Sequence, residues 1–419
     1  MALINRTDVY YVDYDHDNQI HLHNWGETAI AHMRDWSRED SYLIEFKRGD
    51  VFADFNLEQI IPPEVLADIR DPNGKTHLIM ANSHEGFRTA VEHIYVYVCK
   101  RQKIPVSKTI LISGGYDVAD HVRRYAENTD EPEMRCEWIV SFEGSYRNRA
   151  QYFLGWNANE QYIKHGIGHA LNDGDDAELV QKPWPITLHK GPYEKTYVCF
   201  NRRWRPHRPC LVGLLSARGC LDDGFVSLGK ADDPRQWSTE IDHLLWFLAQ
   251  YSPAHTAFEN HRTQLENMPD LYLDTQDLVT NRAEFELDTA YYYENSMISL
   301  VNETNYYVGH EAYEDMIFLS EKFFKPVLMR HPFLIVSTPG IYRAIHALGY
   351  RTFPEFIPEH FDRETNDAKR MWQICDIVQD MTTWNENKVN QFIEYATPIC
   401  EHNWQTLWNK NSFTHRMNY

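Results

Sequence analysis

The chain has 419 residues, a net charge of −20, 43% hydrophobic residues and 14% aromatic residues. This length suits two domains, and the negative charge argues against broad non-specific binding to DNA or to anionic membranes, but not against a local basic groove. No apolar run approaches 18 residues and no signal-peptide pattern opens the sequence, so we expect a cytoplasmic protein without a membrane partner. Seven scattered cysteines without a CxxC spacing indicate reduced thiols and neither a disulfide framework nor a zinc site.

Three strand–turn–helix units follow one another in the first 150 residues. Their strands are predicted at Thr76–Ser83, Thr109–Ser113 and Glu137–Phe142, each an apolar run that ends in polar or small residues. Strands that alternate with helices in this way predict a Rossmann-like α/β domain. The loop-rich stretch from Gly155 to Pro192 then predicts a linker between two domains.

A strand at Thr196–Phe200 opens the second predicted domain and is followed by NRRWRPHRP, which we interpret as a loop before a helix that ends at Gly219. Arginines at the carboxyl end of a strand can trap a phosphate, because a guanidinium pairs with phosphate oxygens through two hydrogen bonds. The alternative is a solvated basic loop, or arginines that pack on Trp204. The four arginines of this loop are Arg202, Arg203, Arg205 and Arg208.

Residues 298–349 predict half of a doubly wound α/β domain. ISLVNET is a buried strand, Ser320 is the N-cap of a helix that contains Pro326, HPFLIV is a second strand, and IYRAIHAL is a helix that ends at Gly349. At the first turn of the earlier helix, Glu321 could accept from a ribose diol, while Lys322 and the helix N–H groups could hold a diphosphate. The alternative is a solvated ion pair on a helix surface.

NET followed by FLSEKFFKPVLMRHPFLIVSTPG resembles the donor-binding motif of the α1,3-fucosyltransferases. It is still more similar to a group of glycosyltransferase-like proteins of tailed bacteriophages and some bacteria, whose pattern is roughly TEKTFKPI…PFI…GxPGxxxxLxxLGFxTF. The chain follows that pattern through residues 348–353. The same group carries LNRRPRPHR, which the chain matches except at Phe200 and Trp204.

This resemblance implies a GT-B glycosyltransferase with two Rossmann-like domains and a helical C-terminal segment. We expect an acceptor domain at residues 1–185, a nucleotide-sugar donor domain at 186–370, and C-terminal helices at 371–419 that pack back on the first domain. The reaction would be the transfer of a hexosyl or pentosyl group from a nucleotide-diphosphate sugar to an acceptor hydroxyl, in the host cytoplasm if the protein is phage-encoded.

Site roles follow from the resemblance and from the predicted strand ends. The donor would be bound by Arg202, Arg203, Arg205, Arg208, Asn302, Ser320, Glu321, Lys322 and Lys325. The catalytic base would be Glu85 or Asp117, each after a strand of the first domain. Asp173-Gly174-Asp175 is similar to the metal-binding DxD of the other large glycosyltransferase fold, but we expect no essential metal, because cationic side chains can stabilise the leaving diphosphate.

Two classes of acceptor are compatible with the resemblance. We expect a hydroxylated base in phage DNA, with a glycan as the alternative, and SYRNRAQYF offers Tyr146, Arg147 and Arg149 as a basic, stacking-competent track. The same segment could instead be an ordinary polar helix start. A protein that binds a nucleotide sugar or a glycan without catalysis, on the same scaffold, is the other class of function left open.

Overall fold

The structure is a computed structural model, and it divides into two units. The first comprises Met1–Ser145, Glu311–Phe318 and His415–Tyr419; the second comprises Tyr146–His310 and Leu319–Thr414. The structure describes residues 10–14, 20–24, 41–46, 56–59, 61–82, 98–113, 139–142, 188–201, 205–229, 234–269, 271, 273, 290–307, 317–319 and 321–408.

The first unit contains a six-stranded sheet in the order β2-β1-β3-β4-β5-β6. All neighbouring pairs are parallel except β1 and β2, which pair antiparallel. The predicted strands β4, β5 and β6 are confirmed, and one described α-helix, α1, covers Pro63–Arg70. The strands are β1 Tyr10–Tyr14, β2 Ile20–Asn24, β3 Ser41–Phe46, β4 His77–Asn82, β5 Thr109–Ser113 and β6 Ile139–Phe142.

The second unit contains a four-stranded, fully parallel sheet in the order β10-β9-β7-β8. All residues of β9 and β10 are buried, as expected for parallel strands covered on both faces. The strands are β7 Lys195–Cys199, β8 Gly224–Val226, β9 Ser296–Asn302 and β10 Phe333–Val336. In chain order this is a 2-1-3-4 arrangement, so the α/β class is confirmed and the sheet is compatible with a Rossmann-like fold.

Nine α-helices of the described residues belong to the second unit. They are α2 His207–Ala217, α3 Pro234–Leu248, α4 Ser252–Asn260, α5 Arg262–Glu266, α6 Ala290–Glu294, α7 Glu321–Leu328, α8 Ile341–Ala347, α9 Asp367–Thr382 and α10 Glu386–Trp408. Pro326 lies inside α7, as predicted. Gly349 follows α8 with a φ of 88°, a left-handed conformation that glycine adopts without strain.

The last two helices pack on this same unit. At the end of α2, Arg218 forms an ion pair of 2.7 Å with Asp376 of α9. After α7, Arg330 forms one of 3.0 Å with Glu401 of α10. These contacts place α9 and α10 beside the sheet that carries the candidate donor residues.

The start of α2 differs from the prediction. The sequence pattern placed the helix after the NRRWRPHRP loop, but α2 begins at His207, directly after Pro206. Proline is tolerated at these first helical positions, because the N–H it lacks has no partner within the helix there. His207 and Arg208 therefore belong to the first turn of a helix, and both are buried.

The strand order reverses between β7 and β9. The chain crosses from β7 to β8 on one side of this point and from β9 to β10 on the other. In open parallel sheets a ligand binds beyond the carboxyl ends of the strands at such a switch point. The candidate site is therefore the edge formed by the residues that follow β7 and β9.

Candidate functional site at the carboxyl edge of the second sheet

A buried pair of asparagine side chains joins the ends of β7 and β9. Asn302 Nδ2 donates to Asn201 Oδ1 at 3.0 Å, and both residues are almost fully buried. The backbone N–H of Asn201 donates to Ser227 Oγ at 3.0 Å, just after β8. Three strand ends are thus tied together by polar contacts at the switch point, which holds the edge in one conformation.

The first turn of α2 points a histidine at the end of β9. His207 Nε2 donates to the carbonyl oxygen of Glu303 at 2.9 Å, and the imidazole stacks on Tyr306 with 5.3 Å between ring centroids. Glu303 itself is fully buried, and its carboxylate accepts from the Thr304 N–H at 3.1 Å. These contacts fix the position of α2, and with it that of Arg208, relative to β9.

The electrostatic environment of His207 identifies the cations around it. Burial lowers the pKa of His207 well below its usual range, and the charge of Arg208 lowers it further. The hydrogen bond to Glu303 acts in the opposite direction. Arg205 and Lys322 also lower this pKa, so both lie close enough to repel an imidazolium. The imidazole is therefore neutral at pH 7.

The first turns of α7 bring a second group of cations to the same edge. The Lys325 ammonium lies 4.8 Å from the ring centroid of Phe200, the residue that follows β7. Together with Lys322, whose charge acts on His207, this places α7 beside the residues that end β7. The structure therefore brings together four predicted donor residues from two distant segments, namely Arg205, Arg208, Lys322 and Lys325.

The N-terminus of α8, which follows β10, holds a carboxyl group of the chain itself. The N–H of Gly340 donates to the Asp362 carbonyl oxygen at 2.9 Å, and the N–H of Tyr342 lies 3.4 Å from Asp362 Oδ1. Burial raises the pKa of Asp362 to about 7, although the N–H groups around it favour the ionised form. An anionic ligand would therefore find the α2 and α7 side of the edge more favourable.

The buried side-chain atoms of this edge include two polar atoms, both in described residues, that have no hydrogen-bond partner. They are Asn302 Oδ1, at the end of β9, and Thr338 Oγ1, after β10. Such atoms cost free energy when they are left unsatisfied in a protein interior. The sequence predicts that Asn302 binds the nucleotide-sugar donor. It does not single out Thr338, Asn201, His207 or Glu303. The only sequence signal for the last three was their place at predicted strand ends and inside the arginine-rich motif.

Several predicted site residues cannot be placed in this geometry. Glu321 begins α7, and its side chain is not among those described. Outside the described residues lie Glu85, Asp117, Tyr146, Arg147, Arg149, Asp173, Asp175, Arg202, Arg203 and Ser320.

Among the described residues, no group of three or more His, Cys, Asp and Glu side chains is arranged to hold a metal ion. Within the same part of the chain, no helix combines the length and apolar character needed to cross a membrane. Six of the seven cysteines are described, and all six are buried free thiols. Comparison of the chain with models of known protein families, with curated proteins and with solved structures finds no significant match.

Proposed function

We propose that the chain is a glycosyltransferase that uses a nucleotide-diphosphate sugar, with the donor diphosphate bound at the carboxyl edge of β7 and β9. The observation that carries the proposal is the meeting of two cationic segments there. Arg205 and Arg208 come from the start of α2, and Lys322 and Lys325 come from the start of α7. The motif resemblance of both segments to glycosyltransferases supports the same assignment.

The chemistry of the transfer requires this kind of charge. The bond between the sugar C1 and the diphosphate oxygen breaks, a bond between C1 and the acceptor oxygen forms, and the leaving diphosphate gains negative charge. Fixed cations beside that oxygen stabilise the transition state more than the ground state. Arginine adds two parallel hydrogen bonds, and helix N-termini add partial positive charge.

The acceptor hydroxyl must lose its proton during this step. His207 is poorly suited to accept it, because its Nε2 carries a hydrogen that is donated to the Glu303 carbonyl and its ring is almost fully buried. We therefore retain Glu85 and Asp117, after two strands of the first unit, as the proposed bases. In this proposal residues 1–185 form the acceptor domain and residues 186–370 the donor domain of a GT-B enzyme.

Donor turnover tests the proposal directly. The purified protein would be incubated with UDP-linked and GDP-linked sugars, and release of the free nucleoside diphosphate would be followed by chromatography. Slow release without an acceptor, accelerated by the correct acceptor, is the expected result. A protein that binds such a donor but leaves it intact with every acceptor class tested would instead be a non-catalytic nucleotide-sugar binder.

The acceptor is tested separately, with a hydroxylated base in DNA as the proposed class and a glycan as the alternative. Mass spectrometry of nucleosides from cells that express the protein would reveal a glycosylated base. A glycosylated nucleoside supports DNA, whereas unmodified DNA together with a glycosylated oligosaccharide product supports the glycan.

A further inference from the structure

One arginine of α9 is buried close to the candidate site and donates hydrogen bonds to the carbonyl groups of three backbone segments. Arg370 is 1% exposed, and its Nε donates to the Ser337 carbonyl at 3.1 Å, after β10. Its Nη1 donates to the Glu364 carbonyl at 2.8 Å, before α9, and its Nη2 donates to the Tyr306 carbonyl, after β9. The carboxylate of Asp367 is also buried, and its Oδ1 lies 2.5 Å from Arg370 Nη2 and neutralises the guanidinium charge.

The same guanidinium supports the ring that contacts the site. Its Cζ lies 4.3 Å from the centroid of the Tyr306 ring, and the Tyr306 hydroxyl donates to the Asp367 carbonyl at 2.7 Å. The Tyr306 ring stacks on His207 at an interplanar angle of 16°. Arg370, Tyr306 and His207 therefore form a continuous stack from α9 to the first turn of α2.

A buried arginine is costly to desolvate, and well-packed apolar residues often stabilise a core equally well. What an apolar residue cannot do is donate to carbonyl groups of several loops at once. Two of the three carbonyls that Arg370 satisfies belong to the loops after β9 and β10, the loops that border the candidate site. The hydrogen bonds of this residue thus fix the geometry of the edge and do more than fill space.

We infer that Arg370 is a positioning residue. Through Tyr306 and His207 it sets the place of Arg208 at the carboxyl edge, so that the cations of α2 and α7 face one diphosphate. The inference rests on the proposed function for its consequence in donor binding, but the positioning itself can be measured without a donor.

The protonation of His207 reports on the stack. In the intact protein the ring is buried, and burial with the neighbouring cations holds its pKa well below its usual range, which lies between pH 5 and pH 8. Opening the stack would hydrate the ring and move its pKa upward toward the usual value, into that range. The charged or titratable groups described around His207 are Arg205, Arg208, Lys322, Glu303, Tyr306 and Tyr307. Asp367 and Arg370 contact the far side of this group through Tyr306 and each other.

The test compares a charge-balanced variant with a matched control. Arg370→Met combined with Asp367→Asn removes the hydrogen bonds of the guanidinium without leaving a buried carboxylate unpaired. Arg218→Met is the control, because Arg218 also links α2 to α9 and lies 3.7 Å over an aromatic ring, that of Trp372, but at the far end of α2. All proteins would carry ¹³C-labelled histidine, with the His207 signal assigned from a His207→Gln sample.

In the double variant, we expect the His207 signal to titrate between pH 5 and pH 8, with at least a tenfold loss in affinity for UDP or GDP. The parent and Arg218→Met should show no His207 titration in that range, and their affinities should agree within about twofold. A folded double variant in which the His207 signal does not titrate between pH 5 and pH 8 overturns the inference.

Two further outcomes are also decisive. If the parent binds neither UDP nor GDP, the proposed function fails, while the His207 titration still decides the role of Arg370. If the double variant does not fold, Tyr306→Leu takes its place, since it interrupts the stack and leaves Arg370 with its Asp367 partner. Parent-like behaviour of His207 in that variant would equally overturn the inference.

Discussion

Asn302 at the end of β9 donates a hydrogen bond of 3.0 Å to the side chain of Asn201, which follows β7 and lies 101 residues earlier in the chain. This contact crosses the point at which the strand order reverses. We predict that Asn201→Ala lowers the free energy of unfolding by about 1–3 kcal/mol, because the Asn302 amide is left buried without its acceptor. Chemical denaturation would measure the change.

The control for that variant is Asn267→Ala. The Asn267 side chain donates to the Thr263 carbonyl at 2.7 Å near the protein surface, where water can replace the lost bond. Its effect should stay within about 0.5 kcal/mol. Equal losses for the two variants would contradict a structural role for the buried pair.

A second prediction concerns acid stability and the buried His331. Burial lowers the pKa of His331 to about 4, against hydrogen bonds to backbone oxygens that raise it, and its ring also contacts Ser299 Oγ at 2.8 Å. The unfolded chain, with a histidine pKa near 6.5, therefore binds the proton first as the pH falls. Stability from this residue is fully present above about pH 6.5 and declines toward pH 4, by about 3 kcal/mol.

Replacement of His331 by Gln should flatten the stability profile between pH 6.5 and pH 4, although it lowers stability at pH 7. His207 contributes to the profile in the same direction, since burial also lowers its pKa. Asp362 acts in the opposite direction, because its raised pKa makes the folded state bind the proton first. Urea denaturation of parent and variant at several pH values isolates the His331 contribution, and parallel profiles would refute it.

Much of the second sheet could be predicted because its signals are local. β9 and β10 are mostly apolar runs that end in small or polar residues, and Gly349 follows the end of α8. The strand β2, IHLHN, was missed because its short alternation becomes a strand only through antiparallel pairing with β1. Such pairing is a tertiary effect that local propensity does not contain.

Several residues of the site could be predicted from the sequence, but the contacts between them could not. Arg208, Lys322 and Lys325 were identified from motifs at strand ends. The burial of Arg208 and of its neighbour His207 could not be predicted, because their segment resembles a solvated loop. The bond from His207 to Glu303 joins residues 96 positions apart, and it exists only because β7 and β9 are neighbours. Arg370, in an ordinary amphipathic helix, gave no sequence signal at all.

Metal dependence provides a third prediction. If Arg208 and the lysines of α7 supply the charge that stabilises the departing diphosphate, transfer should continue in the presence of EDTA. Initial rates with and without the chelator should agree within about twofold. Complete and reversible loss of activity, restored by magnesium or manganese, would instead direct attention to Asp173 and Asp175.

A fourth prediction concerns the acceptor. DNA must approach a protein of net charge −20 along a local basic track, so its affinity should fall steeply between low and moderate salt. Arg147→Glu with Arg149→Glu should abolish transfer to DNA and leave nucleotide-sugar binding unchanged. Absence of DNA binding even at low salt would favour the glycan acceptor.

The central claim is that one diphosphate lies between the start of α2 and the start of α7. Arg208→Ala and Lys322→Ala test it from the two sides. Lys388→Ala is the control, since Lys388 also lies near the start of a helix, and its ammonium lies 4.3 Å from the centroid of the Trp384 ring, much as Lys325 lies over Phe200. A far-ultraviolet spectrum and a melting curve for each variant establish that it is folded.

Titration calorimetry of these proteins with the UDP- or GDP-linked sugar that the parent binds is the most direct measurement. We expect Arg208→Ala and Lys322→Ala each to weaken binding by more than tenfold, or about 1.4 kcal/mol, while Lys388→Ala binds like the parent. Parent-like donor affinity in both folded site variants would contradict the claim.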